Sequence, residues 1–304
     1  MANHRFMLDD GRGLGVSAAG DPASKRLIVL CHPTPGAGAF DPNPTVTAQW
    51  PVHLLMLDRP GYGASDPLPE GAIPTIQDRA DDLAMFLASS EDEARAVGGA
   101  DFGTVGVVGW GTGGAVALSL AARHPDLVDR VVAVGLPRAS AAALGDTVRR
   151  RVGLSSMNAH APLSQLTRAL GARPTLTRAS LGIADDDPAL SRPGVAGRID
   201  RMLAEASTQG PSGIATDLLA FRDRGWVDEL PRITAATLLV YGDRADDGSD
   251  GSGSDTAATA AADGQWYRRR IPRSRVIRAA GARELTLVSH WRRILAHVAP
   301  ARRP

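Results

Sequence analysis

The stretch VGWGTGGAVA (residues 108–117) follows an apolar run and begins what its spacing predicts to be a helix. Its glycines fit two motifs at once. Gly109, Gly111 and Gly114 spell G-x-G-x-x-G, the pattern that holds the phosphates of a dinucleotide at a helix N-terminus. Residues 109–113 also fit G-x-S-x-G, a sharp strand-to-helix turn that exposes a nucleophilic serine, with Gly111 in the place of the serine. The surrounding sequence distinguishes the dinucleotide-binding interpretation from the nucleophile-turn interpretation.

The dinucleotide interpretation fails on its context. That fingerprint belongs to the first strand–helix–strand unit and needs an acidic residue roughly 20 positions further on, at the end of the next strand. Here several predicted strands precede the glycines. The next strand ends in VVAVGLPR (residues 131–138), and Asp129 lies at its beginning. We therefore predict that the chain binds no dinucleotide, and the predicted cofactor requirement is none.

Strand-like and helix-like segments alternate through the first half of the chain. The runs RLIVLC (residues 26–31), VHLLMLD (52–58) and TVGVVGW (104–110) are short and continuously apolar, which is typical of strands buried on both faces of a parallel sheet. Helical spacing follows in residues 76–89 and 113–126. This order predicts an α/β fold with a mostly parallel central sheet and helices on both faces.

The pattern changes in the middle of the chain. Residues 138–230 contain helical segments and no convincing strand, whereas strand-like runs resume at ATLLVYGD (residues 236–243) and SRVIRAAG (274–281). We therefore predict a core of residues 1–137 and 231–304, with residues 138–230 inserted as a helical cap. Residues 246–264 are rich in Gly, Ser, Asp and Ala, and this composition predicts a polar low-complexity loop.

Several motifs occur in an order that resembles the α/β-hydrolase superfamily along nearly the full chain, most closely its capped single-chain group. CHPTPGAGAF (residues 31–40) is similar to the family's H-G-x-P-G oxyanion loop. LDRPGYGAS (residues 57–65) is close to its D-x-P-G-x-G-x-S turn, and residues 108–128 resemble its nucleophile elbow and the following helix. The resemblance implies the α/β-hydrolase fold and a Ser/acid/His triad between core and cap.

The triad positions that this resemblance assigns are all substituted. Gly111 stands at the nucleophile position, Ala245 at the acid position and Ala282 at the histidine position. Asp246, one residue beyond the acid position, is a weak substitute, because an acid without a histidine to orient has no triad role. Loss of the serine or the histidine from such a triad lowers turnover by about a million-fold. The three substitutions together predict a non-hydrolytic lineage.

What remains of the machinery is the oxyanion hole, for which the resemblance assigns the backbone N–H groups of Thr34 and Thr112. Pro33 has no N–H to contribute. Two such donors at a helix N-terminus can bind a carbonyl or carboxylate oxygen. A preserved turn without a ligand is the alternative. The residues that we expect to line the ligand pocket are His32, which also braces the loop, Trp110, Gly111 and Arg283.

Composition limits the partners that the protein can have. The 304 residues carry a formal net charge of +1, which gives no electrostatic case for binding nucleic acid or an anionic membrane. Cys31 is the only cysteine, so an internal disulfide and a cysteine-based metal cluster are excluded. We predict no metal site. The beginning of the sequence lacks the apolar region of a signal peptide, and a cytoplasmic location is expected.

Three functional hypotheses follow. The first is a pseudoenzyme that binds a small molecule between core and cap without hydrolysing esters. The second is a cofactor-independent cyclase, isomerase, lyase or dehydratase that uses the oxyanion hole without a covalent acyl intermediate. The third is a residual ester hydrolase that activates water through a group the sequence does not identify.

Overall fold

A single eight-stranded sheet forms the centre of the protein. The computed structural model describes residues 2–69, 71–96, 103–139, 143–158, 160–243 and 253–300. The strands are β1 (Ala2–Met7), β2 (Gly13–Gly20), β3 (Leu27–Cys31), β4 (His53–Leu57), β5 (Val105–Trp110), β6 (Val128–Val134), β7 (Ala236–Gly242) and β8 (Ser274–Ala279). Their order in the sheet is β1-β2-β4-β3-β5-β6-β7-β8. The pairs β1–β2 and β2–β4 are antiparallel and the other five are parallel, which confirms the predicted α/β fold.

Helices connect the parallel strands. They are α1 (Pro44–Thr47), α2 (Ile76–Ala96), α3 (Gly113–Arg123), α4 (Ala143–Arg151), α5 (Leu163–Leu170), α6 (Val195–Ala206), α7 (Ser212–Ala220), α8 (Gly225–Glu229), α9 (Gly253–Arg268), α10 (Thr286–Ser289) and α11 (Trp291–Val298). α2 and α3 pack against each other, α9 packs against β7 and β8, and α11 packs against β5 and β6. None of the helices in the described ranges is both long enough and apolar enough to cross a membrane.

The central strands are covered on both faces. All five residues of β3 and all six of β5 are buried, as the continuous apolar runs predict for parallel strands inside an α/β sheet. Because β3, β5, β6 and β7 run in the same direction, their carboxyl ends meet at one edge of the sheet. Open α/β sheets bind their ligands at that edge. The loops that follow these strands therefore form one candidate site.

In the described part of the chain between β6 and β7, all regular secondary structure is helical. This inserted segment (residues 138–230) contains α4 to α8 and three short 3-10 helices, at Arg178–Leu181, Pro188–Ser191 and Leu230–Arg232. Helix α8, with its buried Trp226, packs against α2 and α3 of the core. The end of the inserted segment therefore lies against the sheet's own helices, and the division of the chain into core and cap stays a prediction.

The prediction of a polar low-complexity loop at residues 246–264 is wrong for residues 253–264, which are helical. Helix α9 begins at Gly253 and continues to Arg268. Its sequence TAATAAA is rich in alanine, the strongest helix former, and Tyr267 near its end is fully buried against the core. Packing and alanine propensity thus outweigh the Gly, Ser and Asp content in this part. Residues 244–252 lie outside the described residues.

Candidate functional site

A cavity of about 250 Å³ lies at the carboxyl ends of the parallel strands. Its floor comes from the loop after β3 and from the turn between β5 and α3. Its walls come from the inserted segment, from α9 and from the loop after β8. The residues that matter for its chemistry are Thr34, Trp110, Gly111, Thr112, Arg151, Asp263, Arg283 and Glu284.

The turn between β5 and α3 is tightly packed everywhere except at its tip. A Cβ atom on Gly109 would lie 2.4 Å from Gly114 Cα, and one on Gly113 would lie 2.3 Å from the carbonyl oxygen of Cys31. Gly111, at the tip, has a φ of +53°, and a Cβ there would meet only Pro33 Cβ at an ordinary 3.5 Å. The backbone therefore keeps the elbow conformation, and the position facing the cavity has room for a side chain.

The partners of the Pro33 carbonyl fix the direction of the Thr34 N–H. Pro33 O accepts hydrogen bonds from His32 Nδ1 at 2.8 Å and from Arg59 Nη2 at 3.0 Å, both on the buried side of the loop. The C=O and N–H of one trans peptide point in opposite directions. The Thr34 N–H is therefore turned away from Arg59, and it finds no acceptor within the described ranges.

The N–H of Thr112 is oriented by helix α3. Gly111 O accepts from the N–H of Gly114 at 3.0 Å, so it points into the first turn of the helix. By the same peptide geometry, the Thr112 N–H points out of the helix N-terminus, where backbone donors have no intrahelical partner and carry partial positive charge. It too lacks an acceptor among the residues that the structure describes. Both threonines line the cavity, and the use of their N–H groups as an oxyanion hole stays a prediction.

A buried hydrogen-bond network fixes the side chains of both threonines. Thr112 Oγ1 donates to Thr34 Oγ1 at 2.9 Å, and Thr34 Oγ1 donates to Asp217 Oδ2 at 2.7 Å. Arg59 Nη2 donates to Asp217 Oδ2 at 2.6 Å and to Thr34 Oγ1 at 2.8 Å. Burial would raise the pKa of Asp217, but the charges of Arg59 and Arg79 and the hydrogen bonds from Arg59 and Thr34 together outweigh it and hold that pKa below its ordinary value. The network therefore contains an ionised, buried carboxylate.

Two further buried side chains surround the same carboxylate. The Tyr62 hydroxyl donates to Asp217 Oδ2 at 3.0 Å, and Arg79 Nε lies 3.5 Å from Asp217 Oδ1. The three guanidinium nitrogens of Arg79 have no hydrogen-bond partner in the described part of the chain. Removing Asp217 would thus take away the carboxylate that two buried cations, Arg59 and Arg79, share.

His32 lies beneath the cavity and is absent from its lining. Its Nε2 accepts from the N–H of Arg59 at 3.1 Å, so its Nδ1 carries the proton that is donated to Pro33 O. Burial, helped by the charge of Arg59, lowers the pKa of His32 well below its ordinary value. The imidazole is therefore neutral, with both nitrogens engaged within the loop. Trp110 does line the cavity, and its ring also stacks on Phe40 with centroids 5.4 Å apart.

Two ion pairs join the loop after β8 to the inserted segment. Arg283 Nη1 lies 2.7 Å from Asp186 Oδ1, and Arg151 Nη2 lies 2.7 Å from Glu284 Oε1. Both arginines line the cavity. Ala282 is buried and lines a second cavity of about 310 Å³, which shares Arg283 with the first. Of the other expected site positions, Ala245 and Asp246 lie outside the described residues.

Asp263, on α9, is a cavity residue that sequence reasoning missed. It lines the 250 Å³ cavity and is only 7% exposed. Its closest ionic partner in the described ranges is Arg138, whose Nε lies 3.8 Å from Asp263 Oδ1. Burial raises the pKa of Asp263, although the backbone N–H and the charge of Arg138 act in the opposite direction. The cavity thus contains a buried carboxylate with a raised proton affinity.

The remaining histidines and the cysteine lie elsewhere. His160 is exposed, and His290 Nδ1 lies 2.9 Å from Ser289 Oγ beside the second cavity. Cys31 is buried at the end of β3, and burial raises the pKa of its thiol to about 12. Within the described residues no group of three or more His, Cys, Asp or Glu side chains could hold a metal ion.

Solved structures with the same architecture cover almost the whole chain. A hydrolase from Pseudomonas aeruginosa PA01 is 19% identical with a TM-score of 0.64, and the match covers 98% of both chains. The enol-lactonase from Burkholderia xenovorans LB400 is 17% identical with a TM-score of 0.63 over 95% of both chains. A thermophilic esterase from Thermogutta terrifontis, solved with malate bound, is 17% identical with a TM-score of 0.62, over 97% of this chain and 95% of that one. At these identities the likeness shows the fold alone.

The sequence itself matches a family model. No curated protein matches the chain significantly. The family model described as alpha/beta hydrolase fold matches residues 27–288, which spans β3 to α10 and includes both the elbow and the inserted segment. Together with the eight-stranded, mostly parallel sheet, this match shows that the chain belongs to the alpha/beta hydrolase fold family.

Proposed function

We propose that this protein binds a small molecule through a carbonyl or carboxylate oxygen in the 250 Å³ cavity, without hydrolysing esters by a serine mechanism. The observation that carries the proposal is the pairing of Gly111 with two oriented N–H groups. The elbow conformation is kept and its tip faces the cavity, but the tip has no nucleophile. The donors of Thr34 and Thr112 stand where an oxygen atom can be held.

Among the residues that the structure describes, no other group at the elbow replaces the missing serine and its base. The hydroxyls of Thr34 and Thr112 are buried in the Asp217 network, so neither is available to attack a ligand. His32 has both ring nitrogens in hydrogen bonds and lies below the cavity. A serine hydrolase without its nucleophile or its base loses about a million-fold in turnover. Binding without serine chemistry is what the remaining groups support.

The cavity walls indicate the character of the ligand. Trp110, Val148 and Leu181 offer apolar surface, and the volume of about 250 Å³ lies just below the usual range for small-molecule sites. The solved neighbours include proteins described as an esterase and an enol-lactonase, whose names refer to ester and lactone carbonyls. A small, partly apolar carbonyl or carboxylate compound therefore fits this site best.

Covalent labelling tests the absence of serine chemistry. The protein is incubated with a fluorophosphonate probe and analysed by mass spectrometry, with Gly111→Ser as the matched variant. We expect no labelled serine in the natural protein, because no serine stands at the elbow. Stoichiometric labelling of any serine in the natural protein would overturn this half of the proposal.

Ligand-observed NMR tests the binding half. The library contains small ketones and carboxylates, including phenylacetone, cyclohexanone and levulinate, together with hydrocarbons and alcohols of matched shape. Thr112→Pro removes the N–H at a position whose φ of −64° suits proline, whereas Thr112→Val removes only the hydroxyl. We expect carbonyl compounds to bind the natural protein, Thr112→Val to stay within about threefold, and Thr112→Pro to lose tenfold or more. The absence of carbonyl ligands, or ligands insensitive to Thr112→Pro, would contradict the proposal.

A further inference from the structure

We infer that Asp263 is the acid–base group of this cavity and moves a proton at the carbon next to the carbonyl of a bound ketone. The inference rests on the proposed function, since it needs a carbonyl oxygen held by the N–H groups of Thr34 and Thr112. It makes the protein a catalyst of enolisation, and thus of isomerisation or proton exchange, rather than a passive binder.

The position of Asp263 follows from the packing of α9 on the sheet. Its neighbour Gly264 lies so close to β7 that a Cβ there would be 3.0 Å from the Tyr241 ring. Asp263 therefore stands near the carboxyl end of β7. The oxyanion hole stands at the carboxyl end of β5, and β6 lies between the two strands. Because neighbouring strands are about 4.8 Å apart, the ends of β5 and β7 are separated by about 10 Å.

The contact distances of the reaction set how far apart the donor and the base can be. An oxygen accepting from an N–H at about 2.9 Å places the α-carbon about 5 Å from the donor nitrogen. A carboxylate that removes the α-proton must approach this carbon to about 3–3.5 Å. A ketone that meets both conditions spans about 8–9 Å between donor and base. Thr34, Thr112 and Asp263 line the same cavity, where one ligand can contact them. Gly111 adds room for the α-carbon, because no side chain rises from the elbow.

The reaction balances without any further reagent. The Asp263 carboxylate takes the proton from the α-carbon, and the C–H electron pair becomes a carbon–carbon double bond. The carbonyl π electrons move to the oxygen, where the N–H groups of Thr34 and Thr112 stabilise the negative charge. The Asp263 carboxylic acid then returns its proton to the same carbon or to a conjugated one. The net result is exchange or isomerisation.

The surroundings of Asp263 favour this role over that of a structural ion pair. Arg138, its partner on the loop after β6, lies at 3.8 Å and is nearly half exposed. Tyr241 on β7 and Tyr267 on α9 are also close, and burial raises the pKa of both phenols so that they stay neutral. Across the cavity, Glu284 is engaged by Arg151, and Arg283 is engaged by Asp186.

Burial also makes Asp263 a better base than an exposed aspartate. The pKa of Asp263 is raised chiefly by desolvation, and a higher pKa gives the carboxylate more driving force to take a carbon-bound proton. The positive charge of Arg138 acts in the opposite direction, because it lowers the pKa of Asp263 and favours the ionised carboxylate. Removal of Arg138 should therefore move the pH midpoint of the reaction upward without abolishing it.

Deuterium exchange in D₂O tests the inference on the full-length protein. The loss of α-protons from phenylacetone and cyclohexanone is followed by NMR, and binding of both ketones is measured in the same samples. The variants are Asp263→Asn, which keeps the shape but not the base, and Arg138→Gln as the control. Thermal unfolding of each variant reports whether it is folded.

We expect the natural protein to accelerate exchange at least tenfold over buffer, with a rate that rises with pH as Asp263 ionises. Asp263→Asn should lose this acceleration while its affinity for the ketones stays within about threefold. Arg138→Gln should keep the acceleration with a higher midpoint. Binding without exchange, or exchange unchanged in Asp263→Asn, overturns the inference and leaves the proposed function intact. If no carbonyl compound in the library binds, both fail.

Discussion

The Thr34 hydroxyl donates a 2.7 Å hydrogen bond to Asp217 Oδ2, and this bond joins the loop after β3 to helix α7 of the inserted segment. Arg59 bonds to both partners of the pair and also to the carbonyls of His32 and Pro33. The loop that orients the Thr34 N–H is therefore held by a carboxylate from a distant part of the chain.

Replacement of Asp217 should destabilise the protein strongly. Asp217→Asn keeps the shape of the side chain but removes the carboxylate that the buried cations Arg59 and Arg79 share. Breaking a buried ion pair by removal of one partner typically costs about 3–5 kcal/mol. Urea unfolding followed by circular dichroism measures the change. The matched control is Asp200→Asn, whose pair with Arg178 is exposed and should contribute less than about 1 kcal/mol. Similar losses in the two variants would show that the network does not behave as a buried ion pair.

Alanine substitutions in the elbow should separate backbone strain from steric overlap. Gly111→Ala adds a Cβ with room around it, so its cost is limited to the left-handed φ of +53°, about 1–2 kcal/mol. Gly109→Ala places a Cβ 2.4 Å from Gly114 Cα, so the backbone has to move. The free energy of unfolding should fall by about 3 kcal/mol, the upper end of the usual cost of overpacking. Chemical denaturation of both variants gives the comparison. A larger loss for Gly111→Ala than for Gly109→Ala would contradict the packing described for the turn.

Stability should fall as the solution is acidified, in part because of His32. Its pKa is depressed in the folded protein, so below about pH 6.5 the unfolded chain binds a proton that the folded chain does not. The stabilisation from the neutral His32 is complete above the pKa that this histidine has in the unfolded chain. It is lost at up to about 1.4 kcal/mol per pH unit as the pH falls toward the pKa of His32 in the folded protein. Unfolding free energies between pH 7.5 and 5 measure the slope. In His32→Gln, whose amide can still accept from the Arg59 N–H, that slope should be smaller by the same amount. An unchanged slope would mean that His32 is not held neutral.

The single thiol should be inert in the native protein. Cys31 is buried, and its pKa is raised to about 12, so almost no thiolate forms at pH 8. Titration with a chromogenic disulfide should detect no reactive thiol in the folded protein. In denaturant the same titration should detect one thiol per chain, which is the internal control. Rapid reaction of the folded protein would show that the end of β3 opens to solvent.

The sheet could be predicted from the sequence because its signals are local. Runs such as Leu27–Cys31 are apolar throughout, and the glycine-rich turns after β3, β4 and β5 occur in a recognisable order. The inserted helices also follow from spacing alone. These features depend on neighbouring residues, so one sequence is enough to find them.

The two carboxylates at the site were not predicted, for different reasons. Asp217 lies 183 positions from Thr34, and no local sequence pattern indicates that the two residues pair. The available signal is an aspartate in the apolar stripe of α7, between Ile214 and Phe221. Asp263 was assigned to a polar loop because the preceding Gly, Ser and Asp residues dominate the composition. Asp263 and Tyr267 are four positions apart, a spacing that places two residues on the same face of a helix. The polar composition of the segment outweighed this signal in the prediction.

Ionic strength should have little effect on the contacts of the buried Arg59. Its guanidinium, 8% exposed, holds the oxyanion loop from inside, where dissolved ions screen charges far less than at the surface. The Arg151–Glu284 pair at the cavity wall is about one third exposed on both sides and weakens as salt is added. Salt should therefore change how fast a ligand enters and leaves, while the hydrogen bonds that grip its oxygen keep their geometry.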